Sequence, residues 1–270
     1  MRTLGLLVPA VFCVACGQHL DHPGAAPACD PAVAHCLSST PPAAGTAGGN
    51  EAGATSSGGD ETATFTGTVV AFDDDYFDRG SAFKGTAEIS ATGQAGAVVT
   101  GSYDGSKGTT FQMTSVLQDP VNWFLVTPAV GAGVLPTLMP VDTSLATTTL
   151  LLGVANSADV DGIFLASSGT ERALDRAQIA LHLVDKSLRS LAGVTGTLSA
   201  EVTAYRAAGS WIGVTTQNIT DAGGMIFFGN VPAGTTLSPV TVSLSGAVSG
   251  RVEVIIRSGA LSVLTAIVSP

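Results

Sequence analysis

From Phe65 onward the chain alternates short apolar runs with breaks rich in glycine, aspartate and proline. Thr64 to Phe72 (TFTGTVVAF) alternates apolar and polar positions, the two-residue period of a half-buried strand. Lys84 to Ser90, Gly96 to Gly101, Thr109 to Ser115 and Val121 to Val126 follow as further strands. Turn signals separate them at Thr92-Gly93, at Asp104-Gly105 with Gly108, and at Asp119-Pro120. Strands at such regular spacing predict a β-sandwich or barrel. Thr147 to Ala155 (TTTLLLGVA) reads as another strand, after an apolar, proline-bearing stretch that begins at Thr127.

One segment breaks the period. Ser157 stands as a helix N-cap for ADVDGIFLASS, with Asp159 in the first turn, where a carboxylate complements the helix dipole. Val160, Ile163, Phe164 and Leu165 form its apolar side, and Gly169 is placed to end it. The expectation is a single short connector helix. Asp159 and Asp161 are accounted for by their position at its start.

Beyond the helix, Arg176 to Asp185 alternates, with Ile179, Leu181 and Leu183 on one face and Gln178 and His182 on the other. Leu191 to Val194, Leu198 to Arg206, Trp211 to Thr216 and Val240 to Leu244 are strand-like. Val252, Val254 and Ile256 alternate with Arg251 and Glu253, and Ser258-Gly259 is read as a two-residue turn returning Leu261 to Val268 as a final hairpin. Between them lies TDAGGMIFFGNVPAGT, from Thr220 to Thr235. Asp221 to Gly224 carries the Asx and glycine chemistry of a tight reversal, and Met225 to Phe228 is a wholly apolar core strand. Asn230, Pro232 and Gly234 then break it, since proline has no N–H for a ladder.

The order AQIALHLVD, LAGV, EVTAY, TDAGGMIFFGNVPAGT, VTVSL resembles the carboxypeptidase regulatory-like domain, a transthyretin-like β-sandwich. Thr220, Asp221, Gly224, Phe227, Asn230, Val231, Pro232, Gly234 and Thr235 fit its signature of a T-D-x-x-G turn, an aromatic strand and N-V-P-x-G. Phe228-Gly229 departs from it, where a polar residue often precedes the asparagine. The resemblance covers residues 177–270 and implies a non-catalytic accessory, adhesive or binding module, with no catalytic residues carried over. Tyr103-Asp104-Gly105, Phe111 and Trp123 to Val126 echo the same order of turn, aromatic strand and later strand, as a second copy would.

The first 64 residues differ in kind. Arg2 and the apolar run from Leu4 to Ala15 have the layout of a secretory signal, too short for a transmembrane helix. Val14-Ala15-Cys16-Gly17 resembles the lipobox of bacterial lipoproteins, with Cys16 as the lipidated residue. Cys13 stands where that motif usually has an aliphatic residue, which leaves ordinary cleavage near Cys16 or Gly17 as the alternative. Gly17 in place of aspartate resembles signals for the outer membrane. Cys29 and Cys36 are read as a small disulfide loop in an oxidising compartment; the competing reading is a metal site with His19, His22 and His35, without C-x-x-C or H-x-x-x-H spacing. Leu37 to Thr64 has almost no large apolar side chains and cannot offset the entropy of ordering. It is expected to be a disordered tether, spanning roughly 30 Å as a flexible coil. The expected organisation is a signal and lipobox-like segment at 1–16, a tether at 17–64, a β-rich domain at 65–140, a connector with the helix at 141–176, and the sandwich at 177–270. The fold class is all-β, with one or two sandwich modules.

Composition narrows function mainly by exclusion. Eleven lysines and arginines against 21 acids give a net charge of −10, which argues against nucleic acid or an anionic membrane surface as partner. A lipid anchor would supply membrane contact, and an unknown protein or glycan is the expected partner. Asp73, Asp74, Asp75 and Asp78 cluster in DDDYFDRGS and suit Ca²⁺ by ligand type, yet the glycine and glutamate of an EF-hand loop are missing, so a solvated acidic loop is the preferred reading. His182 is the only histidine in the folded part, and no G-x-S-x-G elbow, H-x-x-E zinc motif or phosphate loop is present. The sequence reads as a non-catalytic protein without a cofactor, exported across the inner membrane and held at the outer membrane or cell surface. The alternatives are a secreted carbohydrate- or calcium-binding module, and a hydrolase with a carboxylate site that carries no motif.

Overall fold

The computed structural model describes residues 62–74, 76–77, 80–91, 98–105, 108–118, 121–144 and 149–269. The signal and lipobox-like segment, Cys16, Cys29, Cys36, nearly all of the tether, Asp75 and Asp78 lie outside these residues. The described chain is all-β with one helix, as its sequence pattern predicts. The first strands are β1 (Thr62–Phe72), β2 (Gly80–Ala82), β3 (Ala87–Ala91), β4 (Val98–Tyr103) and β5 (Thr109–Leu117). They are followed by β6 (Asn122–Pro128), β7 (Val134–Leu135), β8 (Thr137–Val141) and β9 (Leu150–Asn156). Helix α1 (Ser157–Ser167) then leads to β10 (Ala177–Val184), β11 (Val194–Thr197), β12 (Val202–Ala207) and β13 (Ser210–Gly213). The chain closes with β14 (Met225–Val231), β15 (Ser238–Gly246), β16 (Gly250–Ile256) and β17 (Leu261–Ile267).

Two sandwiches are built by the same rule. In the first, β4-β5-β1-β9 faces β3-β6-β8 across a core of Phe65, Val69, Ile89, Phe111, Met113, Phe124, Leu150 and Leu152. In the second, β13-β12-β14-β10-β17 faces β11-β15-β16 across Ile179, Leu181, Val194, Tyr205, Ile226, Phe228, Val242, Val254 and Leu264. Seven strands of each correspond in chain order and in most of their pairing; the difference is that β3 also pairs with β4, from Ala87 with Gly101 to Ser90 with Val98, joining the two sheets of the first unit at one edge. The first strand lies parallel to the last (β1 with β9, β10 with β17) and antiparallel to the fourth (β1 with β5, β10 with β14). The third pairs with the fourth (β4 with β5, β12 with β14). The second, fifth and sixth make the opposing sheet (β3-β6-β8 and β11-β15-β16). Register carries the match to single residues. Val69 faces Thr109 and Leu152, as Leu181 faces Ile226 and Leu264, and this puts Tyr103 in the place of Tyr205. β9, inside the stretch expected to be connector, is thus the closing strand of the first unit.

Gly67 shows how tightly the first unit is packed. A Cβ there would come within 2.3 Å of the Phe111 ring and 2.7 Å of the Leu150 carbonyl, so the strand passes under the aromatic only because it has no side chain.

Four expectations need correction. The alternation of Arg176 to Asp185 predicts one polar face, but Gln178 is 2% exposed and His182 is half-buried. The reason is a third layer: the three-stranded sheet covers one face of β10, and α1 with Phe72 and Phe77 covers the other. The final hairpin does not form. The turn at Ser258-Gly259 is present, with Ala260 N–H on the Arg257 carbonyl, but β16 pairs with β15 while β17 crosses into the large sheet. β17 there lies parallel to β10 and, at Leu261 and Ser262, to β8 of the first unit. Its sequence is apolar on both faces, as a strand covered on both sides requires. Ser157 is the first helical residue rather than the cap. Asn156 is the N-cap, and its amide is drawn to the Phe72 carbonyl at 3.0 Å and Asp159 at 3.1 Å. Leu165 points to solvent at 74% exposure, while Val160, Ile163 and Phe164 pack inward. Gly169 (φ 67°) does end the helix, and the Ser168 and Gly169 N–H groups both reach the Phe164 carbonyl.

Candidate functional site

The turn that opens the sequence motif is a joint between strands. Asp221 Oδ1 accepts the Gly223 N–H at 2.7 Å, an Asx turn, and Oδ2 accepts the Ala208 N–H at 3.1 Å. Gly224 sits at φ 65°, and a Cβ on it would lie 2.6 Å from the Leu183 carbonyl, so both conformation and space select glycine. Thr220 closes the outer edge of β11: its hydroxyl donates to the Leu191 carbonyl at 2.7 Å and accepts the Val194 N–H at 3.0 Å. Its backbone bonds Val194 and Gly193. Phe227 is fully buried, edge-on to Phe164 at 5.6 Å and to Trp211 at 5.9 Å.

At the other end of β14, Asn230 is the hub of a buried polar cluster. It is 3% exposed and holds φ 54°, a left-handed conformation that asparagine tolerates better than most side chains. Its N–H donates to Gln178 Oε1 at 2.9 Å, and Oδ1 accepts the Ala173 N–H at 2.8 Å. Nδ2 donates to the Glu171 carbonyl at 3.2 Å and to the Glu201 carboxylate at 3.0 Å. One side chain thus pins the segment leaving α1 onto the second sandwich. The break expected at Asn230 is a bend inside the strand, which continues to Val231.

The acidic loop reaches across the molecule. Asp74 accepts the Tyr76 N–H at 3.2 Å in a local turn. The Tyr76 ring lies 3.7 Å from the Arg206 guanidinium carbon of the second unit, a cation–π contact. Phe77, at φ 57°, is 2% exposed and packs edge-on to Phe72 in the core shared with α1. The loop is therefore docked through its two aromatics, which a search for carboxylates alone passes over. Asp73 and Asp74 are in the described part of this loop, and among the described residues no three potential ligands gather.

His182 Nε2 is 2.8 Å from Ser190 Oγ. Burial strips water from the ring and holds its pKa below the ordinary 6.5. Tyr205 ties the two sheets of the second unit together, its hydroxyl bonding the N–H and carbonyl of Gly196. Desolvation raises its pKa, partly offset by that backbone bond. The described surface also holds an open groove of about 410 Å³ at the C-terminal end of α1. Ser168, Glu201, Thr203, Val214 and Thr215 are among its lining residues. Sequence reasoning did not find it, because helix end, β12 and the residues after β13 are far apart in the chain.

No protein-family model matches the chain, and no curated protein matches it. Among solved structures it is similar to the Bacillus anthracis TIE protein, at 13% identity and a TM-score of 0.21 over 76% of this chain and 33% of that one. It is also similar to a streptococcal ancillary pilin, at 11% identity and a TM-score of 0.23 over 77% of this chain and 68% of that one. The chain thus spans about a third of the length of the first. Neither score reaches that of a shared overall arrangement, and the fold rests on the strand pairing described above.

Proposed function

We propose that this is a non-catalytic, extracytoplasmic protein, anchored through lipid on Cys16, that presents two related sandwich units for binding or envelope architecture. In this reading the second unit is a carboxypeptidase regulatory-like module and the first a diverged copy of it. The observation that carries the reading is the repeated seven-strand connectivity, in which the polar residues of the motif hold turns and joints. Thr220, Asp221 and Asn230 each bond backbone of a neighbouring segment, and His182 bonds Ser190. Titration calorimetry with Ca²⁺ and a panel of glycans tests it: a purely architectural role gives no heat with any of them. Saturable heat with Ca²⁺, lost when Asp73 and Asp74 are changed to Asn, would replace the architectural reading with calcium binding. The anchor is tested separately by labelled palmitate, whose incorporation Cys16→Ser is expected to abolish.

A further inference from the structure

We propose that each sandwich is built to resist tension applied along its first and last strands. The observation is the placement of those two strands. In the second unit β10 and β17 run parallel as direct neighbours over seven residue pairs, from Gln178 with Leu261 to Val184 with Ile267. The ladder is extended at both ends, by the Gln178 N–H on the Ala260 carbonyl at 2.9 Å and the Val268 N–H on the Val184 carbonyl at 2.8 Å. In the first unit β1 and β9 repeat the arrangement over five pairs, from Gly67 with Leu150 to Ala71 with Val154.

Geometry then fixes how force is shared. A pull on the start of β10 and the end of β17 acts along two parallel neighbours in opposite directions. Such a pull slides one strand past the other, and every rung of the ladder carries load at once. An antiparallel hairpin pulled from its open end loses its rungs one at a time, and each single rung is weak on its own. The β10–β17 ladder is also shielded from water, because both faces of both strands are covered almost throughout. A rung that slips there has no solvent partner to replace it, which raises the barrier to opening. No cysteine lies beyond Cys36, so no disulfide reinforces either ladder. The property is independent of what either unit binds, and it would hold if the architectural reading above were replaced by a ligand-binding one.

Single-molecule force spectroscopy on the full chain, with its four native cysteines changed to serine, tests this directly. Handles at Glu171→Cys and Ser269→Cys load the β10–β17 ladder in shear. Handles at Thr236→Cys and Ser258→Cys peel β15 from β16 at its open end. The shear pair is expected to rupture at a force higher by about twofold or more, because forced unfolding reads the barrier rather than the equilibrium. Equal or lower rupture force for the shear pair overturns the proposal. All four sites are at or near the surface, and a thermal midpoint matching the parent for both variants confirms that the handles compare the same fold.

Discussion

Asn230 concentrates two demands in one residue, a left-handed backbone and three side-chain hydrogen bonds, two to the segment after α1 and one to Glu201. Asn230→Gly keeps the backbone and loses the bonds, whereas Asn230→Ala loses both. Urea denaturation is expected to show a loss of about 2 kcal/mol for glycine and about 3 kcal/mol for alanine, the difference measuring backbone strain. Phe227→Ala should cost about 3–5 kcal/mol, as for any fully buried aromatic. His182 gives a prediction with a sign. Its pKa is below 6.5 in the folded protein, so below pH 6.5 the unfolded chain binds more protons. Stability is therefore level above that pH, falls as pH drops through 6.5 toward the folded value, and levels off again below it. His182→Gln should flatten that step in denaturation midpoints measured from pH 5 to 8. The residues of the motif were legible from the sequence because turn chemistry is local: Asp221, Gly224 and Asn230 announce their backbone. Their partners were not, since Gln178 and Ala208 reach them only through the sheet.

Among the elements, strands with one wet face follow from their period and the wholly apolar run of β14 from its composition, whereas the second covered face of β10 and the sheet that β17 joins do not. β1 and β16 alternate because solvent touches one side, and their extents follow from period alone. β10 and β17 lie between two layers, and nothing within eight residues signals that a helix and two aromatics from the other unit will cover the second face. The hairpin expectation for Ser258-Gly259 failed for the same cause, since the turn is local but the choice of sheet is not. The crossover makes its own prediction. Val263→Lys and Leu264→Lys point to opposite faces of β17, and both should cost about 3 kcal/mol or more, because each face is buried. A hairpin partner of β16 would tolerate one of the two. Glu253→Lys, on the wet face of β16, should leave the melting temperature within a degree or two.

At the scale of the molecule, the two units share one large sheet, a joint core around α1, and the docked loop of Tyr76 and Phe77. The sequence hinted at a repeat through Asp104-Gly105 and Phe111, but the match lay in connectivity, which no residue pattern displays. The described residues contain two tryptophans: Trp123, on a strand of the first unit but packed in the core of the second, and Trp211, in the core shared around α1. Chemical unfolding followed through each, in Trp211→Phe and Trp123→Phe chains, should give coincident transitions. Separated transitions would mean that the shared sheet does not couple the units. The parallel partnership of first and last strands also bears on how the protein comes to be folded. β1 and β10 meet β5 and β14 first, but neither can find its parallel neighbour until the whole unit has emerged, so the closing contacts are among the most distant in sequence. Such a chain belongs with the slow folders, closing in milliseconds to seconds. Each sandwich seals only when its last strand arrives, so a chain cut short before β9 or β17 leaves one edge of β1 or β10 without its ladder.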